Sequence, residues 1–395
     1  MNGYFYVLTA IDLFVLCFMC VLTHLSESLN KKQKCGFFLA FALIAIISLL
    51  EVVTLLVDRM PVQYRYLNIL SNYLGFGLSP VVSICLAYVL DKKVSFRKEI
   101  KIALFSEIVY LIFLALSIPK GLIFSVSKNN IYSRGPYFYI YIIVYFLAII
   151  YLSISTIITA SQFQNHSKKL IYPLFLFMMV ETIIQIALPE LHVTWLCVTL
   201  LSVLYFIYCN EMWNQLDELT GLLNQNSYLH RTSGMSRTKG VLVVFDVDDF
   251  KLINDKYGHL KGDISLTEIA DCIKKAYEQY GYCYRIGGDE FCVILENNVS
   301  IVECTKEFLR LLEEKRETYS FIPTVSFGSS SFDGEDIITI KERADQEMYH
   351  YKNERKRIKK QNNIYPANKT NDSYPNMFWR RFYQKLQVAS MVTTV

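Results

Sequence analysis

Charged residues are scarce in this sequence, at 19% of its 395 residues, whereas hydrophobic residues make up 53%. The shortage is uneven, because long apolar stretches fill the chain before Asn210 and are missing after it. This pattern excludes a protein that is water-soluble along its whole length. We therefore predict a membrane half followed by a water-soluble half.

Closely spaced cysteines are missing from the second half, where four cysteines are spread over positions 272–304. That spread gives no support to a cysteine-bound metal and fits a reduced cytosolic domain. The N-terminus also lacks a basic residue before its first apolar stretch and a small-residue cleavage site after it. We therefore interpret the first stretch as a retained membrane span rather than a signal peptide.

Seven apolar stretches of the first half have about the length that a helix needs to cross a bilayer. They predict an N-terminal all-α polytopic membrane domain over residues 1–209, with about seven helices. The stretches are 4–22, 36–57, 67–90, 102–118, 137–160, 170–188 and 192–208.

Lysine and arginine are concentrated in alternate loops of this half. Ten follow spans one, three and five, and five lie in the other loops. Because basic residues near span ends stay on the cytoplasmic side, we expect the N-terminus outside and the second half in the cytoplasm. The expected location is the plasma membrane of a bacterium. The longest external loop, 119–135, is too short for a folded extracellular receptor domain.

Acidic residues fall inside several predicted spans, where they are costly and usually face the bundle interior. Glu181, with Gln185 one helical turn later, lies near mid-span and is the best candidate for a ligand or ion contact. For Asp12, Glu51 and Glu107 the alternative is a packing or near-interface position.

The second half predicts a compact α/β domain over residues 210–360, with a central sheet that contains antiparallel strands and is flanked by helices. Residues 361–395 form a polar tail that is interpreted as disordered or as a membrane-surface helix. Predicted helices cover 224–232, 250–256, 263–280, 302–315 and 340–357, and predicted strands cover 241–245, 282–286, 291–295 and 324–331.

Residues 285–291 read RIGGDEF and connect two of these strands. Gly287 and Gly288 at a hairpin tip allow a bulky anionic ligand to approach the backbone. Asp289 and Glu290 supply the oxygen ligands that magnesium prefers. The alternative is an ordinary Gly-Asp hairpin turn with no ligand.

A second group of polar residues follows the apolar strand in VLVVFDVDDF, residues 241–250. Asp246 lies at the strand end and can share metals with Asp289 if the two strands are neighbours. Further along, Asn254 and Asp263 offer the donors and acceptors that hold a guanine edge. The alternative is a solvated helix start with an ordinary cap by Asp248 or Asp249 and a turn at Gly258.

Taken together, these passages closely resemble the GGDEF family, the diguanylate cyclases, from about residue 216 to residue 356. Five blocks carry the resemblance in order: DELTGLLN at 217–224, DVDDFKLINDKYGHLKGD at 246–263, RIGGDEF at 285–291, TVSFGSS at 324–330 and RADQEMYHYK at 343–352.

The resemblance implies a cytosolic GGDEF domain of nucleotide-cyclase-like fold that condenses two GTP molecules to cyclic di-GMP and two pyrophosphates. Each domain holds one GTP, so two copies must face each other as a homodimer. Asp246, the backbone carbonyl of Val247, and Asp289 match the positions that bind two Mg²⁺ or Mn²⁺ ions. Asp289 and Glu290 are the catalytic candidates, and which of them accepts the proton stays open.

Nucleotide binding carries over to a larger set. Asn254, His259 and Asp263 match the guanine site, and the backbone amides of 248–250 are expected to meet the phosphates. Because Asp263 is kept, ATP and a mixed cyclic GMP-AMP product are disfavoured. The remaining substrate-binding candidates are Phe250, Lys251, Lys352 and Lys356.

Some positions depart from the family pattern. Tyr351, Arg355 and Lys356 differ from the usual last block, and a lysine at 356 offers charge to a phosphate but no planar fork. The basic run 355–360 is alternatively a solvated helix end. At the usual inhibitory product site, Arg-x-x-Asp is replaced by a stretch with Glu278 and Gly281 at the charged positions. We expect product inhibition through this site to be lost.

The sequence therefore predicts a membrane-bound diguanylate cyclase that is regulated through its spans. Its expected partners are GTP, a second copy of the chain and the lipid bilayer, with no nucleic acid. The alternative is a catalytically weak domain that serves as a GTP-binding or protein-interaction module of a membrane receptor.

Overall fold

The computed structural model describes residues 2–90, 97–163, 171–187, 193–233, 239–296 and 301–364. The chain divides into two compact units, Met1–Asn214 and Gln215–Val395. Most of the predicted tail, from residue 365 onward, lies outside the described residues.

The first unit is built from long helices, as its apolar stretches predict. Six segments among the described residues are long and apolar enough to cross a membrane, and the helix over 171–187, with 17 described residues, is shorter than these. The count of seven spans therefore stays a prediction. The helices are α1 Asn2–Leu25, α2 Lys31–Val57, α3 Arg65–Val89, α4 Arg97–Ser117, α5 Tyr139–Gln162, α6 Ile171–Ala187 and α7 Thr194–Asn214.

Large apolar side chains point outward from this unit, among them Phe14, Phe105 and Leu116, at 74%, 68% and 72% exposure. A surface of this kind suits contact with lipid. Conversely, Asp12 and Glu107 are 1% and 5% exposed and face the interior of the bundle, as expected for acidic groups in spans. The side chains of Glu181 and Gln185 lie outside the described residues.

The 119–135 segment contains more structure than a short loop. Strands β1 Phe124–Val126 and β2 Tyr132–Arg134 pair as an antiparallel hairpin. Asn130, at its tip, has φ 57° and donates its amide to the carbonyls of Val57, at 2.6 Å, and Met60, at 3.0 Å. Asparagine tolerates this left-handed conformation and satisfies the carbonyls at the end of α2, so the hairpin is fastened to the helices.

The second unit contains a four-stranded antiparallel sheet in the order β4, β5, β3, β6. This confirms the predicted fold, an antiparallel sheet combined with helices. The strands are β3 Lys239–Val247, β4 Gly281–Arg285, β5 Glu290–Glu296 and β6 Val325–Asp333, and the helices are α8 Gln225–Thr232, α9 Phe250–Tyr257, α10 His259–Tyr277, α11 Ile301–Thr318 and α12 Ile337–Ile364.

Strand β3 lies at the centre of this unit's core. Residues 242–245 are buried on both faces of the sheet, which explains why the strand reads as a continuous apolar run. Phe245 packs edge-on against Phe308 of α11, at 5.2 Å between ring centres, and against Tyr277 of α10, at 5.8 Å. The C-terminal end of β3 is therefore held in place by the packed core of the unit.

Two of the element boundaries that differ from the prediction concern the candidate site residues. Strand β3 extends to Val247, because its ladder with β6 continues to the Val247–Val325 pair, so Asp246 lies inside the sheet rather than after it. Helix α10 begins at His259 rather than Asp263, so Asp263 is a helical residue.

The RIGGDEF turn is held by an ion pair from the start of the unit. Arg285 donates from Nη1 to Asp217, at 3.0 Å to Oδ1, and from Nη2 to the Gly288 carbonyl, at 2.7 Å. Asp217 also accepts from the N–H of Thr220, at 2.8 Å, and from its hydroxyl, at 2.7 Å. Burial opposes ionisation of Asp217, but the Thr220 hydrogen bonds and the Arg285 charge outweigh it and hold its pKa below the usual value.

Replacing Asp217 with asparagine is expected to destabilise the turn by about 1–3 kcal/mol at pH 7, because the charged partner of Arg285 is lost. A carboxyl group with a lowered pKa stabilises the fold above its ordinary pKa, and that contribution is lost as the pH falls through the lowered value. The difference between D217N and the unmodified protein should therefore shrink below about pH 4. This difference is measured by comparing the hydrogen exchange of peptides covering 282–295 in the two proteins at each pH.

The control is Glu317→Gln, which changes an exposed carboxylate of α11 and should leave this exchange unchanged. A D217N effect of the same size at pH 7 and pH 3 would show that the charge of Asp217 is not the cause.

Candidate functional site

The ends of β3 and β5 bring the predicted metal-binding residues together. Asp246 is opposite Glu290 in the register of these neighbouring strands. One residue further, the N–H of Val247 donates to the Asp289 carbonyl, at 3.1 Å. The condition set by the sequence, that the strands of Asp246 and Asp289 are neighbours, is therefore met.

The oxygen atoms at this position fit a hard divalent cation. Asp246 and Asp289 are both half-buried, and each supplies a carboxylate. The return hydrogen bond from the Asp289 N–H to the Val247 carbonyl is not formed among the described residues, so that carbonyl stays available. No group of three His, Cys, Asp or Glu side chains suited to a metal occurs in the described part of the chain, so a site here requires the main-chain oxygen as well.

Lys352 of α12 lies directly against Asp246, with its Nζ atom in contact with Oδ2. Burial disfavours the ammonium form, but the bond to Asp246 and the charges of Asp246, Asp248 and Asp249 outweigh burial and raise the pKa of Lys352. Lys352 is therefore charged and placed at the end of β3.

Asp248 connects three elements instead of capping α9. Its carboxylate accepts from the hydroxyls of Thr324, at 2.8 Å, and Ser326, at 2.6 Å, and from Arg355 Nη1, at 3.1 Å. The alternative of an ordinary cap by Asp248 is therefore wrong. The solvated helix end is also wrong for Arg355, which binds Asp248, whereas Lys356 is exposed.

The residue that immediately precedes α9 has an unusual backbone conformation. Asp249 has φ 53° and ψ 31°, in the left-handed region, and its side chain makes no capping bond. This conformation is uncommon for a non-glycine residue, although aspartate adopts it more readily than most, and such residues cluster at functional sites. The amide of Asp248 donates to the Thr324 carbonyl, at 2.9 Å, so it is not free for a phosphate as expected. The N–H groups of Asp249 and Phe250 donate no hydrogen bond within the described residues.

Apart from Lys352 and Lys356 of α12, the predicted nucleotide residues lie on α9 and α10, on either side of Gly258 with φ 82°. Lys251, His259 and Asp263 are exposed, and Asn254 is half-buried. Phe250 is partly buried and packs against the core of the unit. This surface adjoins the free amides at the start of α9, which suits a base and its phosphates.

The two glycines of the RIGGDEF turn have different surroundings. Neither has a positive φ, so the backbone conformation does not require glycine. A Cβ atom on Gly287 would lie 3.1 Å from Glu290 Oε2, whereas one on Gly288 would meet nothing within 4 Å. The open face of Gly288 agrees with the interpretation that a ligand approaches the backbone there.

The position expected to carry the inhibitory aspartate has no room for a side chain. A Cβ atom on Gly281 would lie 2.1 Å from the Ile294 carbonyl oxygen of the paired strand β5. The departure from Arg-x-x-Asp is therefore accompanied by a backbone approach that excludes aspartate.

The sequence assigned no contact within the site to several residues that hold it together. Asp217 and Arg285 hold the turn, and Thr324, Ser326 and Arg355 fix Asp248. The first two stand in recognisable blocks, which was the available signal. The bonds to Asp248 depend on residues 76 or more positions away, which no local pattern indicates.

Residues 214–357 match the family described as "Diguanylate cyclase, GGDEF domain". Diguanylate cyclase A of Treponema denticola is 38% identical over 153 residues, which cover 37% of this chain and 41% of that protein. Diguanylate cyclase DgcZ of Escherichia coli is 32% identical over 158 residues, which cover 38% and 53%. The solved GGDEF domain of DgcB from Caulobacter crescentus, in complex with c-di-GMP, is 28% identical over 35% of this chain and 90% of that chain, with a TM-score of 0.31.

These matches concern the second unit, since the chain spans about half or less of the length of the two curated relatives. The matched segment begins at the last residue of α7 and contains all five motif blocks. Residues 214–357 are therefore a GGDEF domain of the diguanylate cyclase family.

Proposed function

We propose that this protein is a membrane-bound diguanylate cyclase that condenses two GTP molecules to cyclic di-GMP and two pyrophosphates. The observation that carries the proposal is the meeting of Asp246, the Val247 carbonyl and Asp289 at the end of β3, beside the nucleotide surface of α9 and α10. The similarity of residues 214–357 to curated diguanylate cyclases supports it.

Two Mg²⁺ or Mn²⁺ ions are the proposed cofactors, held by Asp246, Asp289 and the Val247 carbonyl. GGDEF diguanylate cyclases generally use divalent metal ions. When bound, the ions activate the attacking hydroxyl and stabilise negative charge on the α-phosphate.

The protein's own groups would perform the rest of the reaction. Asn254, His259 and Asp263 hold guanine, and the amides of Asp249 and Phe250 donate hydrogen bonds to phosphate oxygens. Lys251, Lys352 and Lys356 supply positive charge to the phosphates. Asp289 or Glu290 accepts the proton of the 3′-hydroxyl as it attacks the α-phosphate of the other GTP, and pyrophosphate leaves.

Two copies of the domain are needed, because each holds one GTP and the reaction joins two. GGDEF domains bind GTP and often dimerise. The helices of the first unit are proposed to cross the plasma membrane, with the GGDEF domain in the cytoplasm, and to regulate how often two domains meet. The direct connection in the chain supports this role, because α7 ends at Asn214 and the second unit begins at the next residue.

The full-length protein in detergent should convert GTP and Mg²⁺ to cyclic di-GMP and pyrophosphate, identified by mass spectrometry. Asp289→Ala and Glu290→Ala should each lower the rate by at least about a hundredfold while the fold is kept, because each removes an oxygen at the reacting centre. Glu317→Ala, which removes an exposed carboxylate of α11, is the control and should retain full activity.

A folded, dimeric protein that binds GTP but forms no cyclic di-GMP would refute the cyclase. That result would support the alternative, a GTP-binding module of a membrane receptor.

Added cyclic di-GMP is expected to cause no strong noncompetitive inhibition, because Glu278 and Gly281 replace the charged residues of the primary inhibitory site. Initial rates at several GTP and cyclic di-GMP concentrations test this. The double change Glu278→Arg with Gly281→Asp should destabilise the domain rather than create inhibition, because a Cβ at 281 meets the Ile294 carbonyl. Strong noncompetitive inhibition of the unmodified protein would contradict the prediction.

A further inference from the structure

Gly262, in the first turns of α10, makes an unusually close contact with Asn254 of α9. A Cβ atom on Gly262 would lie 2.0 Å from Asn254 Oδ1 and 3.3 Å from the end of the Phe250 ring. Non-bonded heavy atoms do not approach to 2.0 Å, so the Asn254 side chain occupies the space that the Cβ atom of any other residue at 262 would need. Glycine weakens a helix by about 1 kcal/mol relative to alanine, and Gly262 has no positive φ that would require it.

The contact fixes which end of the Asn254 amide faces inward. Its Oδ1 atom is fully buried and forms no hydrogen bond within the described residues. The Cα–H of Gly262 points at this oxygen, and such a group attracts a carbonyl oxygen weakly but repels an amide N–H. Within the described residues the Asn254 amide nitrogen makes no hydrogen bond and is not fully buried, so it is the polar atom left toward the surface.

Asp263 is the next residue after Gly262, and its side chain is exposed. Asn254 and Asp263 both belong to the proposed guanine site, to which the former brings an N–H₂ donor and the latter a carboxylate acceptor. Guanine has the complementary edge, with O6 as acceptor beside N1–H and N2–H₂ as donors. Adenine has the opposite order, so it mismatches both groups.

We propose that Gly262 is a positioning residue for base recognition, which holds Asn254 with its amide N–H₂ outward so that only a base with the guanine order of acceptor and donors fits. The inference rests on the proposed function, since it assigns a device to the same nucleotide site. It places part of the GTP preference in a residue that does not touch the nucleotide.

A purely structural role for Gly262 makes a different prediction. Alanine at 262 would then loosen the packing of α9 against α10 and weaken all nucleotides alike. If Gly262 acts through Asn254, alanine forces the amide to rotate, and the loss falls mainly on guanine nucleotides. In a protein that already lacks the Asn254 amide, alanine at 262 would then cause no further loss of guanine affinity.

The test is a double-mutant cycle on the full-length protein in detergent. Binding of α,β-methylene analogues of GTP and ATP is measured with Mg²⁺ by calorimetry for the unmodified protein, Gly262→Ala, Asn254→Ala and the double variant. Gly262→Ala should weaken the guanine analogue by at least about tenfold and reduce the preference over the adenine analogue. In the Asn254→Ala background, the same change should alter affinity by less than about twofold.

Two further variants separate orientation from packing. Asn254→Asp keeps the shape but turns an acceptor outward, so it should weaken the guanine analogue by at least about tenfold, and it tests the orientation even if Gly262→Ala fails to fold. Leu266→Ala removes a buried core side chain of α10 and should lower the unfolding temperature without changing the preference between the two analogues.

Additive effects of Gly262→Ala and Asn254→Ala, or full guanine affinity in Asn254→Asp, would overturn this inference. Neither result would contradict the proposed cyclase activity. If the unmodified protein binds neither analogue, the proposed nucleotide site and this inference fail together.

Discussion

Hydrogen bonding of β3 to a strand on each side is the constraint on which the candidate site depends. The ladder to β5 includes Asp246, and the ladder to β6 continues to Val247. A slip of one residue in either ladder would turn the carboxylate of Asp246 to the other face of the sheet. The burial of Phe245 against α10 and α11 opposes such a slip, so the core and the site are stabilised by the same strand.

Charge is balanced at the end of this strand by a single helix. Asp246 lies in β3 and Asp248 directly follows the strand, and Lys352 and Arg355 are three residues apart on α12. Lys352 contacts Asp246 and lies 3.9 Å from Asp248 Oδ1, whereas Arg355 pairs with Asp248. The pairs have different surroundings: Asp248 also accepts two hydroxyl groups, whereas Asp246 keeps capacity for another ligand.

The strands and helices of the second unit could be predicted largely from sequence, because VLVVF and the RIGGDEF turn are strong local patterns. The nearness of Asp246 and Asp289 followed from pairing their strands. The role of Asp248 did not follow, since local sequence offers a helix cap and the tertiary bonds from Thr324 and Ser326 prevail. The 119–135 hairpin and the crowded backbone at Gly281 depend on contacts with distant carbonyls, and composition gives no sign of them.

The ion pair of Asp217 with Arg285 has a consequence for where the second unit can be cut from the first. Helix α7 ends at Asn214, and Asp217 is three residues later. A fragment that began after Asp217 would contain the whole four-stranded sheet and helices α8 to α12, but Arg285 would have lost its carboxylate partner. The first residues after α7 therefore belong to the support of the turn that carries Gly288, and they are not a dispensable linker.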